Sequence, residues 1–237
     1  NLVKEVTKKY LVPKIFYLKN IFFQSMPITV SICGYALAAA IIFTYVGLSG
    51  EFAVAGYGVG TRIEQVVLLP ILGINTAIIS IISQNYGAKH FSRIKETYLT
   101  AIKYAFIIMI ISGIIVFIAA TVITSIFSSD PEVIEYGKRY LKISAFVLPA
   151  YPVFFLSNGF FMALKKSENA MISNFFRNVL NPIAVFYVAK YINASFETFF
   201  WIWVGINWFF SISYLLIVIY YFRNRLDKSS AIVQPRP

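Results

Sequence analysis

The amino-acid sequence predicts an all-α integral membrane protein with six transmembrane helices. Of its 237 residues, 59% are hydrophobic and only 13% are charged, whereas soluble domains average about 45–50% apolar and about 25% charged residues. The charges stand in short clusters between long uncharged runs, and the Lys and Arg residues concentrate on alternate loops. These features are typical of a helical bundle that meets lipid.

Five spans follow from the distances between consecutive charges. A helix needs about 20 apolar residues to cross about 30 Å of hydrocarbon. Uncharged runs of 31, 24, 26, 22 and 25 residues follow Lys19, Glu64, Lys103, Lys142 and Glu197, so each is long enough to cross. With their flanks, they predict spans over about 24–48, 53–86, 100–127, 134–164 and 197–222.

A sixth span is predicted over 170–189, although Arg177 interrupts it. We expect this side chain to extend toward the headgroups from near the amino-terminal end of the helix, as long cationic side chains do. The alternative is a re-entrant or interfacial segment. That segment would leave an odd number of spans and place the termini on opposite faces.

The distribution of basic residues favours six spans. With six spans, 16 Lys and Arg lie on one face of the membrane and 5 on the other. Because basic residues concentrate in cytoplasmic loops, this asymmetry predicts a protein of the cell membrane with both termini in the cytoplasm. Residues 1–23 then form a basic cytoplasmic linker with an interfacial helix, 24–222 the transmembrane lobe, and 223–237 a cytoplasmic tail. The sequence Ser129-Asp130-Pro131-Glu132 predicts the start of a helix in an outer loop.

Several other classes of protein fit the sequence poorly. The net charge of +11 is split among loops instead of forming the stripe of a nucleic-acid binder. The single cysteine, Cys33, and the single histidine, His90, provide no set of metal ligands. A catalytic pairing of nucleophile and base is also missing, so we expect neither an enzyme nor a metal site.

Specific sequence strings resemble one transporter family. The second span and the loop after it resemble helix 8 of multidrug and toxic compound extrusion (MATE) transporters, and the fourth and fifth spans resemble helices 10 and 11. The strings in the first group are Gly58-Val59-Gly60-Thr61-Arg62-Ile63-Glu64-Gln65, Leu69-Pro70, Gly73, Gln84-Asn85-Tyr86-Gly87-Ala88 and Arg93. Those in the second are Tyr140-Leu141-Lys142-Ile143, Leu148-Pro149, Asn158-Gly159 and Asn181-Pro182.

The resemblance implies one lobe of a twelve-helix exporter. Such transporters have two six-helix lobes and export cationic or amphipathic compounds against a proton or sodium gradient. This chain resembles the second lobe, so its expected partners are an N-terminal six-helix lobe in the same or a separate chain, membrane lipids and a small-molecule substrate. No cofactor beyond the coupling ion, H⁺ or Na⁺, and no nucleic acid are expected.

Glu64 is the principal candidate site residue. At helical spacing it shares one face with Tyr57, Thr61 and Asn75, which predicts a polar stripe along a cavity. A carboxylate in a medium of low dielectric attracts a compensating cation, so Glu64 is a hypothetical site for the coupling ion or a cationic substrate. The alternative is a structural ion pair or hydrogen bond near the headgroups, for which the neighbouring Arg62 is a candidate partner.

Other polar residues of the spans are weaker candidates. Asn174, Arg177, Asn178 and Asn181 form a second stripe, which either lines the cavity or joins helices by hydrogen bonds. In the first span, Gln24 and Tyr35 share a face, and Tyr35 is placed to stack on a cationic ligand.

Prolines within two spans are candidate hinges. Pro70 in the second span, and Pro149 and Pro152 in the fourth, are places where these helices either bend during transport or are statically kinked.

One feature of the resembling family is missing from this sequence. In one branch of the resembling family, acidic residues on helices 7 and 10 help to bind the cation, but the matching segments 24–48 and 143–164 contain no Asp or Glu. We therefore place no coupling site there.

The alternatives to export are a lipid or oligosaccharide-lipid flippase, disfavoured by the small number of cations within the spans, and a membrane scaffold without transport activity.

Overall fold

The computed structural model describes the backbone of residues 15–226 and most of their side chains, Gln24 being among the exceptions. The described chain consists of eight α-helices. They are α1 (Ile15–Gly47), α2 (Glu51–Gly87), α3 (Phe91–Ser125), α4 (Pro131–Ser144), α5 (Ala150–Ala163), α6 (Ser167–Phe175), α7 (Asn181–Tyr191) and α8 (Phe196–Tyr221). Two π-helical turns, Phe176–Leu180 and Phe222–Leu226, follow α6 and α8. Most of the predicted linker and the tail from 227 onward lie outside the described residues.

The helices confirm the predicted all-α membrane fold. Within 15–226, three helical segments are long and apolar enough to cross a membrane, namely Glu51–Gly87, Phe91–Ser125 and Phe196–Asn224. Shorter apolar helices cover Cys33–Gly47 and Ala150–Ala163. Many large apolar side chains of α3 are exposed, including Ile111, Ile115 and Ile118, as expected for a helix that faces lipid.

Two helices begin at capping residues. The side chain of Asp130 accepts hydrogen bonds from the backbone amides of Glu132, at 2.8 Å, and Val133, at 3.4 Å, and Pro131 occupies the first turn of α4. Ser195 accepts a bond from the amide of Thr198 at the start of α8. Both caps satisfy amides that an α-helix leaves without partners, so the helix start predicted at Asp130 is present.

Helix α2 lies at the centre of the bundle and packs against α3, α4 and α5. Its backbone comes close to α4 at Gly56, where an added Cβ would lie 2.7 Å from the backbone nitrogen of Gly137. Two glycines therefore allow the two backbones to pack closely, as small residues do in membrane bundles.

The segment predicted as one span over 134–164 consists of two helices. A turn over 145–149 separates α4 from α5, and Pro149 precedes the first residue of α5. Helix α8 bonds carbonyls at this break: the indole Nε1 of Trp208 donates to the carbonyl of Phe146 at 2.9 Å, and the hydroxyl of Ser211 donates to that of Ala150 at 3.1 Å. Irregular backbone at membrane depth is tolerated where protein groups satisfy it in this way.

The predicted span over 170–189 is helical throughout but changes its winding. Helices α6 and α7 are joined by the π-helical turn over 176–180, which contains Arg177. Pro182 follows this turn. Because proline has no N–H to donate to the carbonyl of Asn178, the regular α-helical pattern is interrupted here.

Candidate functional site

A cavity of about 110 Å³ lies among α1, α2, α4, α5, the π-helical turn and α8. Aromatic side chains are the largest group in its walls, and five polar or charged side chains lie among them. The lining residues are Tyr35, Ala38, Ala39 and Ile42; Tyr57, Thr61, Glu64, Gln65 and Leu68; Tyr140, Tyr151 and Phe155; Arg177 and Asn178; and Phe200 and Trp203. Aromatic walls with a few convergent polar groups are typical of small-molecule sites.

Glu64 is held in this cavity by two tyrosines. The hydroxyl of Tyr140, near the end of α4, donates to carboxylate Oε2, and that of Tyr151, in the first turn of α5, donates to Oε1. The break between α4 and α5 thus brings both hydroxyls to one carboxylate. Arg62 is exposed, and no ion pair found within the described residues includes Glu64. The hydrogen-bonded alternative is therefore present, but with tyrosines as partners and not Arg62.

Arg177 is buried, contrary to the expectation that it extends to the headgroups. Only 9% of the residue is exposed, and its Nε donates to Oδ1 of Asn207 in α8 at 3.2 Å. The guanidinium lies over the rings of Phe154 and Tyr151, 4.2 and 5.2 Å from their centroids. The π-helical turn faces the interior of the bundle, so the side chain is stabilised by aromatic faces and an amide in place of water.

Close packing fixes the ring of Tyr140. It makes edge-to-face contacts with Tyr57, at 4.9 Å between centroids, and with Phe200, at 4.8 Å. A Cβ added at Gly60 would overlap the Tyr140 ring, whereas one added at Gly58 would meet no atom within 4 Å. The glycine at 60 thus leaves the space that the ring needs to reach Glu64.

The remaining predicted site residues divide between the cavity and other places. Tyr35, Tyr57, Thr61 and Asn178 line the cavity together with Glu64 and Arg177. The side chain of Gln24 lies outside the described part of the structure.

Three asparagines of the predicted stripes are not among the residues lining the cavity. Asn174 accepts a hydrogen bond from Asn158 at 3.2 Å. Asn181 is 1% exposed, and its amide atoms have no hydrogen-bond partner among the described residues. The buried Oδ1 of Asn75 is also without such a partner, and it lies against Gly159. The π-helical turn separates the members of the second stripe, because it changes the angle between successive side chains.

The three prolines occupy different environments. Pro70 is exposed inside the continuous helix α2, whereas Pro149 lies at the break before α5 and Pro152 is buried in its first turn. Only the pair in the fourth predicted span accompanies an interruption of the helix.

Comparison with known proteins identifies the family. The MatE family model matches residues 27–187, more than half of the chain. This chain belongs to the MatE family. The resemblance expected from the strings around Glu64 is confirmed, and MatE proteins are transporters rather than enzymes.

Two curated relatives and one solved structure illustrate the likeness. The FAD transporter of Shewanella oneidensis is 26% identical over 157 residues, which is 66% of this chain and 35% of that protein. The multidrug export protein MepA of Staphylococcus haemolyticus is 24% identical over 232 residues, covering 94% and 49%. A MOP superfamily transporter from Pyrococcus furiosus, described as having a binding pocket of reverse polarity, gives a TM-score of 0.82 at 21% identity and covers 95% and 50%.

The chain matches only part of each of these proteins. The chain spans half or less of the length of these proteins, which is consistent with one lobe of a MatE transporter. At 21% identity the structural match shows the fold alone.

The sequence did not predict several residues of the Glu64 cavity. The lining includes Tyr140, Tyr151, Phe200 and Trp203. Asn207 accepts a hydrogen bond from Arg177. Asn207 carried a signal, because it is an amide in the long uncharged run of the last span. The aromatic residues carried little signal among 23 Phe and 16 Tyr.

Proposed function

We propose that this chain forms one lobe of a secondary active exporter of cationic or amphipathic compounds. The observation that carries the proposal is the half-buried carboxylate of Glu64, which opens onto an aromatic-lined cavity and is held by Tyr140 and Tyr151. The name of the multidrug exporter among the relatives supports the same activity. The lobe would lie in the cell membrane, with both termini cytoplasmic.

The cavity has the chemistry for ion-coupled antiport. A buried carboxylate gains free energy when it binds a compensating cation, so a proton or Na⁺ and a cationic substrate would compete for Glu64. The aromatic rings of Tyr35, Tyr57 and Trp203 offer faces to an organic cation. Alternating access would follow if ion and substrate favour opposite orientations of the two lobes.

The second lobe would provide the opposite wall of the transport pathway. This chain covers about half of the relatives' lengths, and an N-terminal six-helix lobe accounts for the other half. The complete transporter is therefore the proper object of a functional test.

The test is gradient-driven efflux of ethidium from proteoliposomes that contain the complete transporter. Glu64→Gln removes the charge and should reduce coupled efflux at least about tenfold, because a loss of about 1.4 kcal/mol of ion binding alone lowers the ion affinity tenfold. Glu51→Gln is the matched control, because Glu51 is an exposed carboxylate at the start of the same helix. Unchanged efflux and unchanged ion dependence in Glu64→Gln would remove Glu64 from the mechanism, and no efflux by the wild type would favour the scaffold.

A second candidate function is export of an anionic aromatic compound. Arg177 places a guanidinium at the same cavity, and one relative is named as an FAD transporter. A single guanidinium opposite a carboxylate supports this candidate better than a flippase, which needs several cations for a lipid phosphate. If the candidate is right, Arg177→Gln will reduce FAD efflux and spare ethidium efflux; equal losses of both would indicate a structural role.

A further inference from the structure

A second concave surface lies on the other side of the α4–α5 break. It is a groove of about 590 Å³ between α3, the turn over 145–149 and α8. Its walls are apolar and include Ile110, Ile114, Ile118, Phe146, Trp201 and Trp208. It shares no lining residue with the Glu64 cavity, so transport chemistry at that cavity does not account for it.

A lysine lies at one end of the groove. The Nζ of Lys142 is 5.4 Å from the ring centroid of Phe117, which lines the groove, and Phe117 contacts Phe146 edge-to-face at 5.9 Å. Lys142 precedes Phe146 by four residues. The ammonium group is therefore adjacent to the groove wall.

Lys142 differs from its basic neighbours on α4. Lys138 and Arg139 bind Glu135, at 2.8 and 3.0 Å, whereas Lys142 has no ion pair among the described residues. A half-buried ammonium within a membrane-spanning segment is costly unless an anion compensates it. Within residues 15–226, an aromatic ring lies against this ammonium and no carboxylate is within ion-pair distance of it.

The ammonium of Lys142 lies at one end of the groove, and the apolar walls extend away from it. Along α3, Phe117 and Ile118 lie near the lysine, and Ile110 lies about 12 Å away along the helix. Along α8, Trp201 contacts Phe146 at 5.3 Å between ring centroids, and Trp208 lies two turns further along. The groove thus runs from the end nearest the Asp130 loop toward the middle of the bundle.

We propose that this groove binds one anionic phospholipid, with its phosphate at Lys142 and an acyl chain along the groove. The charge complementarity favours an anionic headgroup, because its phosphate compensates the ammonium without a second cation in the same headgroup, whereas a zwitterionic lipid brings its own cation to the site. The apolar walls favour an acyl chain, since they present carbon atoms over about 12 Å along α3. Trp201 lies near the charged end, because it contacts Phe146, which contacts the ring of Phe117 beside Lys142.

Native mass spectrometry of the complete transporter tests the headgroup. The protein is titrated with phosphatidylglycerol and with phosphatidylcholine of the same acyl chains. The wild type should retain one phosphatidylglycerol in preference to phosphatidylcholine, and Lys142→Gln should weaken that binding about fivefold. Lys142→Arg should restore it. Lys138→Gln is the matched control, one turn earlier on α4 and already paired with Glu135, and should bind as the wild type does.

A groove-filling variant tests the acyl-chain part of the site. Ile114 is 54% exposed, so Ile114→Trp adds bulk in the groove without altering the packed core and should weaken both lipids. Equal retention of the two lipids by the wild type, or equal effects of Lys142→Gln and Lys138→Gln, would overturn the proposal. A groove that binds no lipid because the other lobe or a second copy covers it would overturn it as well.

Discussion

At the scale of the residue, Glu64 is stable in the bundle because each of its carboxylate oxygens accepts a tyrosine hydroxyl. Hydrogen bonds to a charged group contribute about 1.5–3 kcal/mol, and a buried carboxylate without them is strongly unfavourable. The same two hydroxyls keep the carboxylate aimed into the cavity. Tyr140 and Tyr151 are therefore positioning residues for whatever binds Glu64.

Tyr140→Phe should expose this dependence. Removal of the hydroxyl leaves Oε2 of Glu64 without its donor, so the free energy of unfolding in detergent should fall by about 1.5–3 kcal/mol. In a Glu64→Gln background the same substitution should cost less, about 0.5–1.5 kcal/mol, since the acceptor is then neutral. Denaturant unfolding of the four proteins of this double-mutant cycle measures the difference. Equal costs in the two backgrounds would contradict the assigned bond.

The sequence indicated which charged residues belong to the site, but it did not indicate what surrounds them. Glu64 was prominent because a carboxylate in a charge-poor span needs a partner, and helical spacing correctly joined it to Tyr57 and Thr61. The burial of Arg177 was not predictable from position, since a cation near the end of a span is compatible with either the headgroups or the interior. Its partner Asn207 lies 30 residues later, and only the packing of α8 brings them together.

At the scale of the element, the break between α4 and α5 organises both concave surfaces. It directs Tyr140 and Tyr151 toward Glu64 on one side, and its turn forms part of the apolar groove on the other. The break is possible because Trp208 and Ser211 of α8 donate to the carbonyls of Phe146 and Ala150. Helix α8 thus gives a donor to the carbonyl of Phe146, which a continuous helix would have bonded to the amide of Ala150.

Trp208→Phe tests this role of α8. The substitution keeps an aromatic ring but removes the indole N–H, so the carbonyl of Phe146 loses its donor and stability should fall by about 0.5–1.5 kcal/mol. Trp201→Phe is the control, because Trp201 contacts the same Phe146 through its ring and its indole N–H donates to none of the described residues. Thermal unfolding in detergent compares the two. A Trp201→Phe variant that is as unstable as Trp208→Phe would show that the rings, and not the hydrogen bond, stabilise the break.

Charge spacing predicted where helices occur, because hydrocarbon excludes charges from about 20 consecutive residues. It did not predict the turn over 145–149 or the π-helical turn over 176–180. Prolines marked both regions, but a proline in a membrane helix is compatible with a kink, a break or a change of winding. Which one forms depends on donors from a distant helix, such as Trp208.

At the scale of the whole molecule, the chain is a helical bundle with two distinct concave faces. The Glu64 cavity has polar and charged side chains in its walls, whereas the walls of the groove beside Lys142 are apolar. The MatE match and the coverage of about half of each relative are consistent with a lobe that works beside another. In the proposed exporter, the first face belongs to the transport pathway and the second to the lipid.

The most direct test of the central claim is substrate protection of a cysteine placed in the Glu64 cavity of the complete transporter. Thr61 lines that cavity, so Thr61→Cys, in a background where the exposed Cys33 is replaced by Ala, reports its occupancy through the rate of alkylation. We expect ethidium to slow the labelling at position 61, to lose this effect when Glu64→Gln is added, and to leave a Glu51→Cys control unaffected. Labelling of Thr61→Cys at the same rate with and without ethidium, in a transporter that still exports the dye, would contradict the claim.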